Sequence, residues 1–239
     1  MVTDTLTDPR DGATYQTVQI GAQCWLAENL RYLPAVCPAT TTPDGSAFYY
    51  VYDYQGYNVE EAKATANYRN YGVLYNWPAA LAACPPGWHL PSDAEWSELT
   101  DFLIRTHKRI TAANVGYALK SCRPVGSPLG GDCNTSAHPR WEALTRPQAR
   151  GLTALRRMAR SFITGVSVRH GTDAVGFSAV PGGRCCYGGF QCIGRLGYWW
   201  SATKASPLRV WARQLTLSGT VNRWDMSQNY GYSVRCVQD

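Results

Sequence analysis

The sequence predicts a mixed α+β fold built from short elements. Segments with strand-like composition lie near the start of the chain and again after Asp173, and a capped amphipathic helix lies between them. The chain also contains 22 Gly and 14 Pro, which favour many turns and few long helices. These observations indicate sheets joined by turns, with a small number of helices.

The N-terminal half begins with predicted strands and continues into a short helix. Residues 12–30 read as two strands on either side of Gly21, and residues 47–57 have strand composition before a polar loop. In the segment that follows, Pro78 suits the first turn of a helix, and Pro85 with the proline after it ends that helix.

The clearest helix signal starts at Ser92. Ser92 and Glu95 form the pattern of a capping box, in which the Ser hydroxyl accepts from the Glu amide and the Glu side chain reaches back. Apolar residues then recur at i, i+3 and i+7 along one helix face: Trp96, Leu99 and Leu103. We expect this helix to end near His107.

Residues 141–172 are rich in arginine. The arginines are Arg146, Arg150, Arg156, Arg157 and Arg160. Opposite them is a plausible helical apolar stripe of Leu152, Leu155, Met158, Ala159 and Phe162. Two interpretations stay open for this segment: a basic docking face for a partner, or the ordinary solvated face of a helix.

The C-terminal part is predicted to be mostly strands and turns. GFSAVPGG reads as a strand followed by a turn, and residues 197–203 read as a strand. Residues 209–217 alternate in polarity as strands do, and a last strand is expected over 232–237.

Length and charge restrict the function classes. With 239 residues the chain can bury a sizeable core as one large domain or two small ones. Its net charge of +6 is too mild to predict a nucleic-acid partner without a clustered basic face. No stretch approaches the roughly 20 apolar residues of a membrane helix, so no membrane span is predicted.

Nine cysteines are an unusual number, and an odd count leaves at least one unpaired if the others form disulfides. Cys122 and Cys133 bracket a Gly/Pro-rich loop that they could close, and Cys84 and Cys236 could tie the middle of the chain to its end. Zinc is the rival interpretation, but no C-x-x-C occurs and the four His do not flank the cysteines at ligand spacing. We therefore predict no metal site.

No motif for a specific enzyme is present. The sequence lacks a phosphate-binding loop, a dinucleotide-binding glycine motif and a G-x-S-x-G nucleophile elbow. A thiol at Cys185, Cys186 or Cys192 is the remaining candidate nucleophile, and no partnered base is evident for it. We predict neither an enzyme nor a cofactor.

Five blocks of the sequence resemble, in order, the Fibrobacter succinogenes major paralogous domain: LTDPRDGATYQTVQIGAQCWLAENL, YGVLYNWPAALAACPPGWHLPSDAEWSEL, GFSAVPGG, GYWWSAT and YGYSVRCV. They span roughly residues 5–239, which implies a single domain over 1–239. The family is similar to the C-type lectin fold. That similarity implies two helices, a twisted antiparallel sheet, a loop-rich C-terminal half and a disulfide like Cys84–Cys236.

The ending resembles the variable proteins of diversity-generating retroelements, in which misread template adenines rewrite Asn and Lys codons. Randomised AAC reaches Arg, Cys, Tyr, Phe, Leu, Pro, Ser, Thr, Ala and Asp, and AAG adds Gln, Met and Trp. Residues of these types interrupt the family pattern between 184 and 228. We call them the predicted variable residues: Arg184, Cys185, Cys186, Tyr187, Phe190, Gln191, Cys192, Arg195, Leu196, Ser206, Pro207, Leu208, Ala212, Gln214, Thr216, Ser218, Thr220, Trp224, Asp225, Met226, Ser227 and Gln228.

The resemblance implies a ligand-binding protein displayed on a phage particle or a bacterial surface, with a protein or glycan on a target cell as its ligand. Tyr198, Trp199, Trp200 and Trp211 are expected to be buried and to hold the backbone, while the predicted variable residues point outward. The alternative is a lectin-like adhesion domain of the same fold that is not diversified. A thiol enzyme is the third interpretation.

Two departures from the family pattern stand out. The Arg-rich segment at about 142–170 is longer than the usual link, which makes it a candidate insert for docking a partner. Trp224-Asp225 matches one half of a calcium-lectin sugar motif, but the Glu-Pro-Asn half is missing. Calcium-dependent sugar binding is therefore not predicted.

Overall fold

A computed structural model describes residues 3–42, 44–121, 141, 171–186 and 188–239. The predicted α+β fold is confirmed, because these residues form five helices and twelve strands. The Arg-rich segment, the Cys122–Cys133 pair and Tyr187 lie outside the described residues.

The largest sheet brings together both ends of the described chain. Its order is β1-β2-β3-β12-β6, and its pairings are antiparallel. The strands are β1 (Thr3–Thr7), β2 (Thr14–Ile20), β3 (Gln23–Leu26), β6 (Trp88–His89) and β12 (Val237–Gln238). The prediction for residues 12–30 is confirmed: Gly21 turns between β2 and β3 with φ of +63°, a backbone conformation that glycine adopts without strain. The predicted last strand over 232–237 is shorter, with bridges at Tyr232 and Ser233 before β12.

Four of the five helices are only five or six residues long. The helices are α1 (Val59–Ala64), α2 (Ala66–Tyr71), α3 (Trp77–Leu81), α4 (Asp93–Thr106) and α5 (Val115–Leu119). The predicted helix around Pro78 is α3, where the Asn76 side chain caps the helix and Pro78 occupies its first turn.

Helix α4 confirms the strongest prediction from the sequence. Ser92 and Glu95 make both hydrogen bonds of the capping box, and the helix ends before His107. Its buried residues are Trp96, Leu99 and Leu103, as the spacing predicts.

The C-terminal half centres on a three-stranded antiparallel sheet with the order β11-β10-β9. Its strands are β9 (Gly197–Ser206), β10 (Arg209–Leu215) and β11 (Val221–Ser227). Two further antiparallel pairs are present. Strand β4 (Tyr49–Tyr50) pairs with β5 (Leu74–Tyr75) across α1 and α2, and β7 (Arg184–Cys186) forms a hairpin with β8 (Gly189–Gln191). The strand predicted over 47–57 is thus limited to β4. Strand β11 was not predicted.

The three-stranded sheet separates two apolar cores, since successive residues of a strand face opposite sides. On one side Trp200 packs with Tyr232, at 4.4 Å between ring centroids. On the other side Trp199 packs with Trp96 of α4, at 6.4 Å. Aromatic side chains therefore pack on both faces of this sheet, whose strands carry part of the predicted variable set.

The disulfide that the resemblance implies is present between Cys84 and Cys236, whose Cα atoms are 5.8 Å apart. It joins the segment after α3 to the residue before β12 and closes a sequence separation of 152 residues. In the chain-entropy description, a loop of this length stabilises the folded state by about 5 kcal/mol. The disulfide loop contains the whole region 184–228.

Candidate ligand-binding surface

Most of the predicted variable residues reach solvent. Leu208 at the β9–β10 turn and Trp224 on β11 are exposed large hydrophobic side chains of this set, with 79% and 50% of their surface accessible. Gln191, Arg195, Ser206, Pro207 and Ser218 are exposed as well. Half-buried members are Arg184, Phe190, Cys192, Leu196, Gln214, Thr216, Thr220, Asp225, Met226, Ser227 and Gln228.

Three predicted variable residues do not point outward, and for them the expectation is wrong. Cys185 and Cys186 on β7 and Ala212 on β10 are buried. Cys185 packs in an apolar cluster with Cys37 and Tyr50, and Ala212 belongs to the core around Trp200. Their burial depends on contacts with earlier parts of the chain, which a local sequence pattern does not reveal.

Strand pairing assembles a polar and aromatic patch around Gln214. Gln214 lies opposite Asn222 of β11 and Tyr198 of β9. Its Oε1 accepts hydrogen bonds from Trp224 Nε1 and from Asn222 Nδ2, both at 3.1 Å. Asn222 was not among the predicted residues because it lies within the VNR segment shared with the family. The patch holds the indole of Trp224 in one orientation.

Arg184 extends this patch to the β7–β8 hairpin. Its Nη2 donates to Gln191 Oε1 at 2.9 Å, and its guanidinium lies 5.4 Å from the ring centre of Tyr198 and 5.8 Å from that of Tyr230. Stacking on aromatic rings restrains a long cationic side chain near the surface. We use the name C-terminal face for Arg184, Gln191, Gln214, Asn222, Trp224 and Tyr230.

A cavity of about 390 Å³ opens beside the hairpin. Its walls come from three separate segments, and the lining includes Thr41, Tyr50, Cys185, Cys186, Ser227 and Tyr230. None of its nine lining residues is charged. As far as the described residues show, the cavity is therefore a neutral concavity.

The thiols of the hairpin are poor nucleophiles. Burial, together with the neighbouring thiols of Cys186 and Cys37, raises the pKa of Cys185 to about 12. Burial also raises the pKa of Cys186, although the Arg184 charge opposes this. Both thiols are thus protonated near neutral pH, whereas nucleophilic attack needs the thiolate.

Asp93 at the start of α4 fastens the three-stranded sheet to the helix. Buried Arg213 donates from Nη1 to Asp93 Oδ1 at 2.6 Å and from Nη2 to the Asp93 carbonyl at 2.8 Å. Arg223 pairs with the same carboxylate at 2.9 Å and lies 3.3 Å from the ring centre of Trp211. The ion pairs of Asp93 with the two arginines were not predicted from the sequence. The prediction that Trp211 is buried is wrong. It is half-buried and covered by Arg223 rather than by a core.

Lys120 forms a hydrogen bond with the backbone of the β10–β11 loop. This buried side chain donates from Nζ to the Ser218 carbonyl at 2.6 Å and lies under 5 Å from the ring centres of Tyr117 and Trp141. Burial lowers the pKa of Lys120 to about 8. Hydroxyls at alternate positions then hydrogen-bond in sequence along the loop surface: Thr216, Ser218 and Thr220, at 2.8 and 2.9 Å.

Several other predicted variable residues already have partners within the protein. Asp225 accepts from Arg209 Nε at 2.7 Å, so its carboxylate is engaged on the protein surface. Gln228 donates to the Pro207 carbonyl at 2.8 Å, and Phe190 packs on Tyr52 at 5.1 Å. These contacts order the edges of the C-terminal face.

Searches for metal and membrane sites are negative within the described ranges. No group of three or more His, Cys, Asp or Glu side chains there is arranged to hold a metal ion. Among the same residues, no helix has both the length and the apolar character needed to cross a bilayer.

Comparison with protein-family models matches residues 18–238 to the Fibrobacter succinogenes major domain. The chain belongs to this family. No curated protein and no solved structure matches it. For this Fibrobacter succinogenes major domain, the match covers the three-stranded sheet, the disulfide and the whole C-terminal face. Strand β1 and the first residues of β2 precede the matched region.

Proposed function

We propose that this protein is a ligand-binding module in which a fixed backbone presents changeable side chains from residues 184–228. One observation supports the proposal most strongly. All but three of the described predicted variable residues are exposed or half-buried, whereas Trp199, Trp200 and Leu215, between them in the chain, are buried. A rigid backbone lowers the ordering cost of binding, so new side chains alone can create affinity.

The C-terminal face has the composition of an interface. Tyr, Trp and Arg are enriched among residues that dominate binding energy, and this face presents Trp224, Tyr230 and Arg184. Hydrogen bonds and ring stacking hold these three side chains before any ligand arrives. The ligand we propose is a protein or a glycan on a target cell.

We further propose that the fold is C-type lectin-like. Strands from both ends of the described chain share one sheet, and a disulfide joins the segment after α3 to the last strand. The antiparallel pairing of that sheet and the disulfide match what the resemblance implies for that fold. The five helices exceed the two expected, but only α4 is longer than six residues.

The binding role can be tested with two matched libraries on a yeast surface. The first randomises Gln191, Arg195, Leu208 and Trp224, and the control randomises four exposed positions of α4: Ala94, Glu98, Asp101 and Arg105. Selection against one purified protein, such as streptavidin, is expected to yield binders from the first library at least ~10-fold more often. Equal yields, or none from the first library, would contradict the proposal.

The proposed origin of the variation is a diversity-generating retroelement, and the proposed location is a phage particle or a bacterial surface. Sequencing the 3′ end of the gene and its flanking DNA across a source population tests the origin. Substitutions confined to codons 184–228, at adenines of a nearby repeat, are expected. An invariant 3′ end without a repeat would leave the alternative, a lectin-like adhesion domain that is not diversified.

The thiol enzyme is the least supported of the three interpretations. Cys185 and Cys186 are buried, and their raised pKa values keep them protonated. Cys192 is half-buried, and no His lies among the residues that line the neighbouring cavity.

A further inference from the structure

The outer edge of strand β11 is open as far as the described residues show. We propose that this edge pairs with an extended segment of a protein ligand, which adds a fourth strand to the sheet β11-β10-β9. This inference rests on the proposed function and deepens it, because it names the ligand as a protein with an extended backbone rather than a glycan.

The two edges of the three-stranded sheet differ in how they are covered. Strand β9 is closed on its outer side, where the Trp200 N–H donates to the Ser233 carbonyl at 3.2 Å. The Ser233 N–H donates in turn to the Tyr198 carbonyl at 3.0 Å, and the Ala202 N–H donates to the Pro91 carbonyl at 2.9 Å. One edge is therefore covered by the chain itself, and the other is the edge of β11.

The backbone of β11 makes few contacts apart from its pairing with β10. That pairing extends over seven residues, and none of the seven in β11 is buried. Among the described residues, only two carbonyls of β11 have further partners. Ser227 accepts from the Tyr230 N–H, and the Arg209 side chain donates to the carbonyl of Asp225. Alternate N–H and C=O groups of an edge strand point away from the neighbouring strand, so those of β11 are accessible for pairing.

The uncharged side chains of β11 are directed toward the protein. Trp224 Nε1 and Asn222 Nδ2 both donate to Gln214 Oε1 of the neighbouring strand β10, at 3.1 Å. Val221 and Met226 pack against the two apolar cores on opposite faces of the sheet. These contacts keep the side chains over β10 and the cores, and the outer edge stays clear of them.

The two charged side chains of β11 are also engaged within the protein. Charges and prolines on an edge strand normally discourage pairing with another chain. Arg223, however, pairs with Asp93 at 2.9 Å and lies over the Trp211 ring of β10. Asp225 pairs with Arg209 of β10 at 2.7 Å. Because β11 contains no proline either, this edge has little protection against strand addition.

The chemistry of the edge determines what fits it. Its outward backbone groups repeat about every 7 Å, because every second residue of a strand faces the same way. Another extended polypeptide presents N–H and C=O groups at the same spacing, whereas the backbone groups of a helix are satisfied internally. A glycan does not offer donors and acceptors at that repeat. An extended segment of a protein is therefore the best-matched occupant.

Strand addition at this edge would separate affinity from specificity. Backbone hydrogen bonds along β11 do not depend on its side chains, so they persist when the side chains change. The predicted variable residues of β11 would lie beside the added strand, two on each face of the sheet: Trp224, Asp225, Met226 and Ser227. Cross-strand contacts with these side chains would then select the ligand sequence.

The first test pans a random library of linear peptides of about 12 residues, long enough to span β11, on the unmodified full chain. Selected peptides are resynthesised with one backbone N–H at a time replaced by N-methyl. Binding is expected to weaken about 10-fold or more at every second peptide residue, because those N–H groups face β11. N-methylation of the intervening residues is the matched control, expected to change binding less than about 3-fold. Losses without this alternation, or a library that yields no peptide, would overturn the proposal.

Amide hydrogen exchange of the unmodified protein locates the added strand. With a selected peptide at saturation, alternate amides of β11 are expected to exchange at least ~10-fold more slowly, while those of β9 stay unchanged. Strand β1, at the edge of the five-stranded sheet, is the internal comparison. Protection at β1 instead of β11, or at neither strand, would overturn the proposal.

A second copy of the chain is the other occupant that this edge could take, and sedimentation without peptide distinguishes it. We expect a monomer at the protein concentrations used for peptide binding. A dimer whose β11 amides become protected as the protein concentration rises would overturn the assignment in favour of self-pairing.

The yeast libraries and the N-methyl pattern fail independently. The libraries test whether side chains of the variable region create affinity, and the N-methyl pattern tests how a ligand backbone is held. Enrichment of the first library together with peptides that show no alternation would leave the proposed function standing and overturn this inference. Equal library yields together with alternating peptides would contradict the proposed function and leave strand pairing at β11 supported.

Discussion

Two tryptophans of the C-terminal sheet differ in burial, although both lie in strand segments predicted from the sequence. Trp199 is fully buried and donates to Asn29 Oδ1 at 2.9 Å, whereas Trp211 is half-buried beneath Arg223. We expect Trp199→Ala to lower the free energy of unfolding by about 3–5 kcal/mol, because it leaves a cavity in the core. Trp211→Ala is expected to cost only about 1–2 kcal/mol.

Urea unfolding of the two variants measures this difference. Ser218→Ala and Gln228→Ala serve as controls and are expected to stay within about 0.5 kcal/mol of the unmodified protein. Equal losses for Trp199→Ala and Trp211→Ala would contradict the prediction. They would mean that Trp211 contributes as much to stability as a fully buried tryptophan.

Lys120 gives the stability of the protein a dependence on pH. Burial lowers its pKa to about 8 in the folded state, and the unfolded chain keeps the ordinary higher value. Above pH 8 the unfolded chain therefore binds a proton that the folded protein has released. The contribution of Lys120 to the free energy of unfolding should accordingly rise between about pH 8 and pH 10. The buried thiols of Cys185 and Cys186 act in the opposite direction, because burial raises their pKa and the unfolded thiols release their protons first.

Urea midpoints at several pH values in that window test the prediction, with Lys120→Met as the variant and exposed Lys108→Met as the control. Lys120→Met should remove the Lys120 contribution, so its stability relative to the unmodified protein should fall across the window, whereas Lys108→Met is expected to follow the unmodified protein. The window ends near pH 10 because burial raises the pKa of tyrosines such as Tyr15, whose titration lowers stability at higher pH. A constant stability difference between Lys120→Met and the unmodified protein would contradict the assignment.

At the scale of the elements, Asp93 determines how firmly the C-terminal sheet sits on α4. Asp93→Ala removes the carboxylate from two arginines and leaves Arg213, only 4% exposed, without that partner. Breaking a buried pair on one side costs about 3–5 kcal/mol. We expect a loss in that range by urea unfolding.

The control is Asp101→Ala, an exposed aspartate on the same helix, which should change stability by less than about 0.5 kcal/mol. A double variant, Asp93→Ala with Arg223→Ala, is expected to lose less than the sum of its parts, because the two residues share one contact. Additive losses would mean that Arg223 and Asp93 act independently.

Secondary-structure elements that are determined by neighbouring residues in the sequence were predictable. Helix α4 follows from the capping box at Ser92 and from three apolar positions on one face. Strand β11 was missed because its residues include Arg223, Trp224 and Asp225, which show no strand alternation by themselves. Its pairing with β10 over seven residues makes it a strand, and pairing depends on a neighbour that composition does not identify.

At the scale of the whole molecule, the sequence indicated which residues form the candidate surface, but it did not reveal the cavity beside them. Resemblance to the family identified residues 184–228 and the Cys84–Cys236 disulfide. The cavity could not be predicted, because Thr41 and Tyr50 reach Cys185 only after the chain has folded. Asn222 and Tyr230 were missed for a related reason: each joins the C-terminal face through the register of the strands or through ring contacts.

The position of the disulfide has a mechanical consequence for the proposed role in binding a target from a surface. A force applied between the two ends of the chain passes through the Cys84–Cys236 bond and bypasses the residues between them. Only the segments outside the closed loop can then be drawn out. The three-stranded sheet and the β7–β8 hairpin lie inside the loop, so they can keep their shape under tension while the N-terminal strands extend. The cavity would then lose the wall that Thr41 and Tyr50 supply, because both residues precede Cys84.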